Sequence, residues 1–461
     1  MLTATPASPV SSTPHHSGET VIRLIDGDYD LLALHRLNPA RYPHLLESVA
    51  HGTAHSRYDI LFAFPGESLQ IATTEQRDFL DDLDGWWRRE RITGDESCSL
   101  PFRGGWFLYL AYELAAQIEP RLRLTSAPQS LPAAFAVRIP AAVIRDHQLQ
   151  QTWLTAETPD RELLELMAAD LRRTPVSAMS PARLLNLDEE PPARFMEAVR
   201  RVKQYILDGD VFQVNLSRAW EGELDAQDAY AALYAALRRH NPAPFAGLAT
   251  WNGKAILSSS PERLVRVCGD RVETRPIAGT RPRGAERHQD LHYSRELLAH
   301  PKERAEHIML IDLERNDLGR ICVPGSVAVD ELMVLESYAH VHHIVSNVRG
   351  VKRRDISPGQ VIRAVFPGGT ITGCPKVRCM EIIAELEAAE RGPYTGSFGY
   401  LNRDGDMDLN ILIRTVTAEG PRFTLRAGAG IVADSDPAAE LAETRAKARG
   451  MLLALGIADD A

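Results

Sequence analysis

Phe195, Val199, Val202 and Ile206 fall three or four residues apart, the spacing of one helix face, and Gly209 follows as a stop. The period then changes to two. In Val211-Phe-Gln-Val-Asn-Leu-Ser217, Phe212, Val214 and Leu216 point one way and Gln213, Asn215 and Ser217 the other, which predicts a strand. Its small polar face either lines a cavity or meets solvent. Upstream, Asp59–Phe64 and Trp106–Leu110 have the composition of strands, and downstream Val265–Val272 and Phe423–Arg426 read the same way. Proline announces three later helices: Pro301 toward Leu318, Pro375 to Glu390 closed by Gly392, and one opened by Pro437 with Asp436 as N-cap. The two periods mix without an internal repeat, so the chain is of α/β (α+β) class. Pro175, Pro181, Pro191 and Pro192 punctuate a polar stretch. This predicts a disordered tail over 1–18, an N-terminal subdomain over 19–173, a linker over 174–192 and a catalytic domain over 193–457.

Composition removes several function classes. No apolar run approaches the roughly 18 residues of a membrane span, and the Ser/Thr/Pro-rich start has no apolar core of a secretory signal. A membrane role is not expected. Five cysteines (Cys98, Cys268, Cys322, Cys374, Cys379) without a CxxC pair predict reduced thiols in a cytoplasmic protein rather than a disulfide scaffold or zinc site. A net charge of −10 with no basic patch argues against nucleic acid. It also sets a condition: a small anionic ligand needs positive charge supplied locally by Arg, Lys, backbone amides or a metal.

Glu303 and Glu306 are three apart and share a helix face, as do Glu440, Glu443 and Lys447 on the last helix. Each carboxylate pair is either a solvated face or half of a site for a hard cation such as Mg²⁺, which takes one or two carboxylates and keeps water or substrate oxygens. Two glycine-rich segments, Phe366–Lys376 and Leu425–Gly430, read as anion-cradling turns, the first leading into a helix N-terminus. Neither is a Walker loop or a dinucleotide fingerprint. His340-x-His342-His343 lacks companion ligands and reads as hydrogen-bonding, and Ser258–Glu262 is not a hydrolase elbow.

Taken in order, Ser260-Pro-Glu-Arg263, Arg275–Thr280, Lys302–His307, Asp312–Gly319, His343–Ser346, Phe366–Lys376 and Ala427–Gly430 resemble the large subunits of anthranilate and aminodeoxychorismate synthases. The resemblance spans about residues 195–455, and Leu45–Ser48 with Gly104–Trp106 extend it more weakly. It implies the anthranilate synthase component I fold, two antiparallel-rich sheets packed as a sandwich with helices outside. It implies that Glu306 and Glu443 are the principal Mg²⁺ ligands, assisted by Glu303 and Glu440, and that the metal grips the ring carboxylate of chorismate. Arg414, Lys447, Tyr394 and amides near Gly428 and Gly430 would hold the carboxylates, with Ala278 and Gly279 beside them. Glu262 would be the general acid toward the ring hydroxyl, helped by His343 and Thr280.

Relatives that add water to chorismate carry a lysine base where Gln213 stands, so the resemblance implies amination. No glutaminase nucleophile segment is visible, and ammonia is expected from a glutamine amidotransferase subunit in a heterodimer, or from free ammonium. Asn215, Glu314, Gly369 with Ile371–Gly373, and Leu409-Asn-Ile411 resemble the aminodeoxychorismate group, whose product feeds para-aminobenzoate and folate synthesis. Ala278 is instead the anthranilate-type residue, standing where some members have a lysine that attacks C2. Anthranilate synthesis is therefore the alternative, and an inactive ligand-sensing homologue a remote third. Leu45–Ser48 either binds an amino acid such as tryptophan or makes a buried loop contact.

Overall fold

In a computed structural model, the described residues are 15–17, 20–50, 56–72, 75, 77–92, 100–125, 131–173, 183–225, 229–284, 286–337 and 341–457. Among them, thirteen strands form one antiparallel sheet and ten a second. The first sheet runs through Thr20–Ile25, Gln151–Glu157, Ala141–Asp146, Tyr58–Ala63 and His44–Glu47. It then continues without a break into Phe245–Trp251, Lys254–Ser260, Thr415–Glu419, Arg422–Ile431, Gln213–Leu224 and Leu184–Glu189. The second runs from Ile277–Pro282 and Val341–Val351 through Arg271–Arg275, Arg263–Cys268, Met407–Asn410 and Ser397–Asn402 to Gly105–Leu110, Ala134–Ile139 and Ser68–Ile71.

Both sheets are therefore built from both halves of the chain. Leu45 pairs with Leu248 in one, and Leu108 with Gly399 in the other. The expected division into an N-terminal subdomain and a separate catalytic domain gives way to one interleaved body, because strand pairing rather than sequence proximity closes each sheet. The expected linker is also shorter: Leu184–Glu189 pairs with Gln213–Leu224, and a helix begins at Pro192. His15–Ser17 pairs with Thr20–Ile22, so sheet structure reaches into the stretch expected as a tail. Residues 1–14 lie outside the described residues.

The sandwich core is apolar and aromatic, as faces of alternating strands require. Phe62, Ile144 and Ile256 from the first sheet meet Phe107, Phe135 and Phe398 from the second. Helices cover the outer faces. Phe79–Glu90, Pro301–Gly319 and Pro358–Val365 pack on the second sheet, while Tyr230–His240 and Pro437–Ala454 pack on the first.

Local expectations differ from the structure at four places. Val265–Val272 is a hairpin, Arg263–Cys268 and Arg271–Arg275, turning at Gly269 with φ +61. The helix after Pro375 ends at Glu387, because Ala388 already has left-handed φ +47. Leu425–Gly430 is the interior of the long Arg422–Ile431 strand, not a turn. Phe212 is 69 % exposed, since it precedes the strand rather than continuing its apolar face. Val214 and Leu216 are buried as expected.

Candidate active site

A cavity of about 750 Å³, its mouth included, opens where strands of the two sheets approach the last helix. The walls come from nine places in the sequence.

One wall is the polar face of Gln213–Leu224, which lines the cavity instead of meeting solvent. Asn215 opens onto it, and Gln213 and Ser217 are buried beside it. This strand pairs along its length with Arg422–Ile431, register Asn215 to Gly430 and Ser217 to Gly428. The two glycines make room for the facing side chains. A Cβ on Gly428 would lie 2.7 Å from the Tyr394 hydroxyl and 2.9 Å from Asn215 Oδ1, and one on Gly430 would collide with the Gln213 amide nitrogen. Lys447 Nζ donates to the Gly428 carbonyl at 3.0 Å. The N–H and C=O of one residue point the same way from a strand, so the Gly428 amide also faces the cavity.

Glu262 follows a tight Ser-Pro-Glu turn. Its N–H donates to Ser260 Oγ at 3.1 Å, Ser260 Oγ donates to the Ile411 carbonyl at 2.5 Å, and the Ile411 N–H returns to the Glu262 carbonyl at 3.0 Å. The carboxyl is only 4 % exposed, with the Ile277 N–H at 3.5 Å. Burial pushes its pKa up to about 7. It therefore carries a proton over much of the neutral range, as a general acid must.

His343, on Val341–Val351, sets Nδ1 3.3 Å from the Gly279 carbonyl. A carbonyl only accepts, so Nδ1 carries the proton and Nε2 is an acceptor. Burial, with Arg414 and Lys447 adding to it, lowers the pKa to about 3, so the ring is neutral. Gly279 itself sits at φ +68, which brings the Ala278-Gly279 backbone to the cavity wall. Thr280 pairs with His343 in the backbone register, and its side chain lies outside what is described.

The remaining walls carry the cations. Arg414 adopts φ +51, a left-handed backbone rare for a long side chain, and lines the cavity. Arg426 lies on the same strand face as Gly428 and Gly430. Its guanidinium donates to Glu387 at 3.1 Å and to Ser217 Oγ at 3.2 Å. Glu387 is also held by Arg391 at 2.6 and 2.9 Å, and Arg391 stacks on Tyr394 with 5.6 Å to the ring centroid. Burial raises the Tyr394 phenol to about 12, so it stays a donor.

The glycine-rich segment 366–376 contributes Thr370 and Ile371. It is not an open anion cradle, because the chain's own groups occupy it. The Gly369 N–H lies 3.4 Å from Glu314, Lys376 pairs with Asp317 at 2.5 Å, and the Asn215 N–H donates to the Thr372 carbonyl at 2.9 Å.

Of the four glutamates on the two helices, Glu303 and Glu443 touch residues of the cavity wall. Glu303 Oε2 would lie 2.8 Å from a Cβ on cavity-lining Gly279, and its Oε1 takes Arg281 at 3.1 Å. Glu306 is half-buried one turn on. Glu440 is 7 % exposed in the first turn of Pro437–Ala454, where Asp436 caps Ala438 and Ala439 as expected. Glu443 pairs with Lys447 at 2.7 Å. Among the described residues, no group of three or more His, Cys, Asp or Glu is gathered as a closed metal cage. Carboxylate oxygens are the donors Mg²⁺ takes, one or two at a time, with its other ligands drawn from water or a bound anion.

Thus Glu262, Ala278, Gly279, His343, Tyr394, Arg414, Gly428 and Lys447 line one cavity, and Gln213 and Gly430 stand behind Asn215. Arg426, Thr370, Ile413 and Met451 also line it and were not singled out from the sequence. Period two would have found Arg426, two residues before Gly428. Two other sequence features lie elsewhere. His342 bonds Asp290 at 2.9 Å and Ser337 at 2.7 Å, while His340 is outside the described residues. Around Leu45–Ser48, Glu47 takes Tyr234 at 2.7 Å and Arg238 at 2.8 Å, and the Ser48 N–H donates to Asp59 at 2.9 Å.

Residues 44–453 match the family described as chorismate binding enzyme. An anthranilate synthase component I-like protein of Synechocystis is 44 % identical over 77 % of this chain and 73 % of its own length. Aminodeoxychorismate synthase component 1 of Bacillus subtilis is 40 % identical over 78 % of each. Anthranilate synthase component 1 of Acinetobacter calcoaceticus is 35 % identical over 95 % of each. Among solved structures, anthranilate synthase component I of Streptococcus pneumoniae superposes with TM-score 0.76 at 29 % identity, covering 87 % of this chain and 93 % of that one. The menaquinone-specific isochorismate synthase of Escherichia coli shares the fold, with TM-score 0.73 at 18 % identity over 96 % of each chain. Sheet topology, a buried protonatable carboxyl among cations, and these matches together place the chain in the family of chorismate-utilising enzymes.

Proposed function

We propose that this chain aminates chorismate with ammonia delivered by a glutamine amidotransferase subunit, giving 4-amino-4-deoxychorismate for para-aminobenzoate and folate synthesis. The observation that carries the reading is the pairing of a buried acid, Glu262, with a neutral amide wall, Gln213 and Asn215. Water needs a base to become a nucleophile, and ammonia does not. Lys447, the one lysine among the described residues that line the cavity, is held between Glu443 and the Gly428 carbonyl.

Arg414, Arg426 and Lys447 would bind the two carboxylates of chorismate, and the Tyr394 hydroxyl would donate beside them. Glu306 and Glu443, with Glu303 and Glu440 next to them, would hold Mg²⁺, which when bound supplies a Lewis-acid grip on the ring carboxylate. Glu262 gives its proton to the ring hydroxyl, which leaves as water while the C–N bond forms. The ammonium centre made at the ring then releases one proton. Neutral His343 keeps the floor of the site free of competing positive charge.

Anthranilate synthesis is the second reading, and Ala278 favours it: a methyl group at the wall leaves open the space a lysine would fill. One assay separates them. The chain is incubated with chorismate, Mg²⁺ and ammonium at alkaline pH, without a second enzyme. Aminodeoxychorismate synthesis releases neither anthranilate nor pyruvate until a lyase is added, when para-aminobenzoate and pyruvate appear together. Lyase-independent anthranilate as main product selects the second reading.

A further inference from the structure

A second carboxyl is buried behind the cavity wall. Glu314, on the Pro301–Gly319 helix, is one of the residues in which the sequence resembles aminodeoxychorismate synthases, yet it does not line the cavity. Its Oε1 takes the Gly369 N–H at 3.4 Å, and a Cβ on Gly369 would come within 3.3 Å of it. The next residue, Thr370, lines the cavity together with Glu262. Gly369 and Thr370 therefore link Glu314, behind the wall, to the cavity that holds the acid. Lys376 is committed to Asp317 at 2.5 Å and to the Val365 carbonyl at 3.4 Å, and among the described residues no cation forms an ion pair with Glu314. A buried carboxyl without a counter-ion costs stability, which points to a functional reason for keeping it.

Burial raises the pKa of both carboxyls. At Glu314, Asp317 adds to the rise, while Lys376, the Thr274 hydroxyl and the Gly369 N–H oppose it. At Glu262, Glu314 itself adds to the rise, while Thr370, the Ile277 N–H and Lys447 oppose it. Asp317 and Lys376 cancel each other, which leaves two carboxyls in one dry region. Like charges so placed do not ionise together, and the first carboxyl to lose its proton holds the other's in place. Chorismate decides between them. Its carboxylates enter the cavity that Glu262 lines and Glu314 does not, so the dianion repels a charge at Glu262 more strongly. The charge of the pair settles on Glu314.

We infer that Glu314 is a positioning residue for the general acid: its charge, set behind the Gly369–Thr370 wall, keeps the proton on Glu262 while chorismate is bound. The inference rests on the reading of Glu262 as the acid and deepens it. Glu314 touches neither substrate nor reacting atoms and acts only through Glu262. Its effect therefore lies in the pH range over which the enzyme works, not in the speed of the loaded enzyme.

The test follows chorismate consumption by the chain alone across pH, in ammonium solutions of constant free ammonia. Glu314→Gln keeps the shape and the acceptor for the Gly369 N–H and removes the charge. The basic limb of kcat should fall by about one pH unit, with kcat below the limb and the KM for chorismate within a few-fold of wild type. Glu314→Asp keeps a charge and should hold the limb near its wild-type position. A merely structural side chain would change the melting temperature, or kcat at all pH values, and leave the limb in place. Thermal melting checks each fold, and Glu314→Met, apolar and of similar length, stands in if the glutamine variant is unfolded. A limb unmoved in a folded variant without the charge, while Glu262→Gln is inactive, overturns the role of Glu314 alone. A Glu262→Gln variant as active as wild type overturns the acid reading and the inference with it.

Discussion

Glu262→Gln should make this protein more stable and nearly inactive. The carboxyl is buried, and its pKa is pushed from 4.5 up to about 7. Below the unfolded value both states are protonated and burial costs nothing extra. As pH rises from 4.5 toward 7 the unfolded chain gains the free energy of ionising and the native state does not. The cost of keeping Glu262 thus grows to about 3 kcal/mol by pH 8, against under about 1 kcal/mol at pH 5. Glutamine cannot ionise and removes that cost. Urea unfolding at the two pH values should show the variant ahead of wild type by about 3 kcal/mol at pH 8 and nearly level at pH 5. Chorismate turnover should drop about 10²–10⁴-fold at pH values below the basic limb of the wild type, where Glu262 holds its proton, the contribution of a positioned acid. A stability difference that does not grow with pH would refute the assigned ionisation. Turnover within a few-fold of wild type would refute the role.

Other expectations are sharp enough to check singly. Glu443→Gln should lower magnesium-dependent turnover at least about 100-fold, while the melting temperature stays close to wild type, because the pair with Lys447 is half-exposed. Gly430→Ala should leave the fold intact and cost under about 2 kcal/mol in urea unfolding, since its Cβ meets the movable Gln213 amide. Ammonium-dependent turnover should fall with it. The chain alone should use ammonium but not glutamine, as ammonia release from glutamine in a reaction without a second subunit would reveal.

Much of the site is legible because its motifs are long and ordered: Glu262, His343, Tyr394, Arg414 and Lys447 stand in or near them and line one cavity. What the sequence hid was mostly partnership. Leu425–Gly430 reads as a flexible turn because glycine favours turns, yet the glycines are there for facing side chains across a sheet. Arg426 looks like an ordinary strand residue until Glu387 and Ser217, respectively 39 and 209 residues away, are seen to hold it. The subdomain boundary misled for the same reason. A proline-rich stretch marks a break in local structure, and says nothing about which distant strands pair across it.

Those partnerships bear on how an acidic chain arms an acid for an anionic substrate. Arg391, Arg426 and Glu387 form a buried trio in which the two guanidinium groups hold the Glu387 carboxylate well inside its charged range. The trio carries one net positive charge at the cavity edge, Arg414 adds another, and Lys447 is balanced by Glu443. Lys447 works against burial at Glu262, pulling its pKa down. A dianion bound to these cations cancels their pull and adds repulsion of its own, so Glu262 holds its proton more tightly in the complex than in the free enzyme. Substrate binding therefore completes the acid. The expected signature is a basic limb near pH 7 in kcat/KM for chorismate, which reports the free enzyme, and a limb at least one pH unit higher in kcat, which reports the complex. Free ammonia must be held constant across the series so that its own titration does not enter. Coincident limbs would mean that the carboxylates bind too far from Glu262 to act on it.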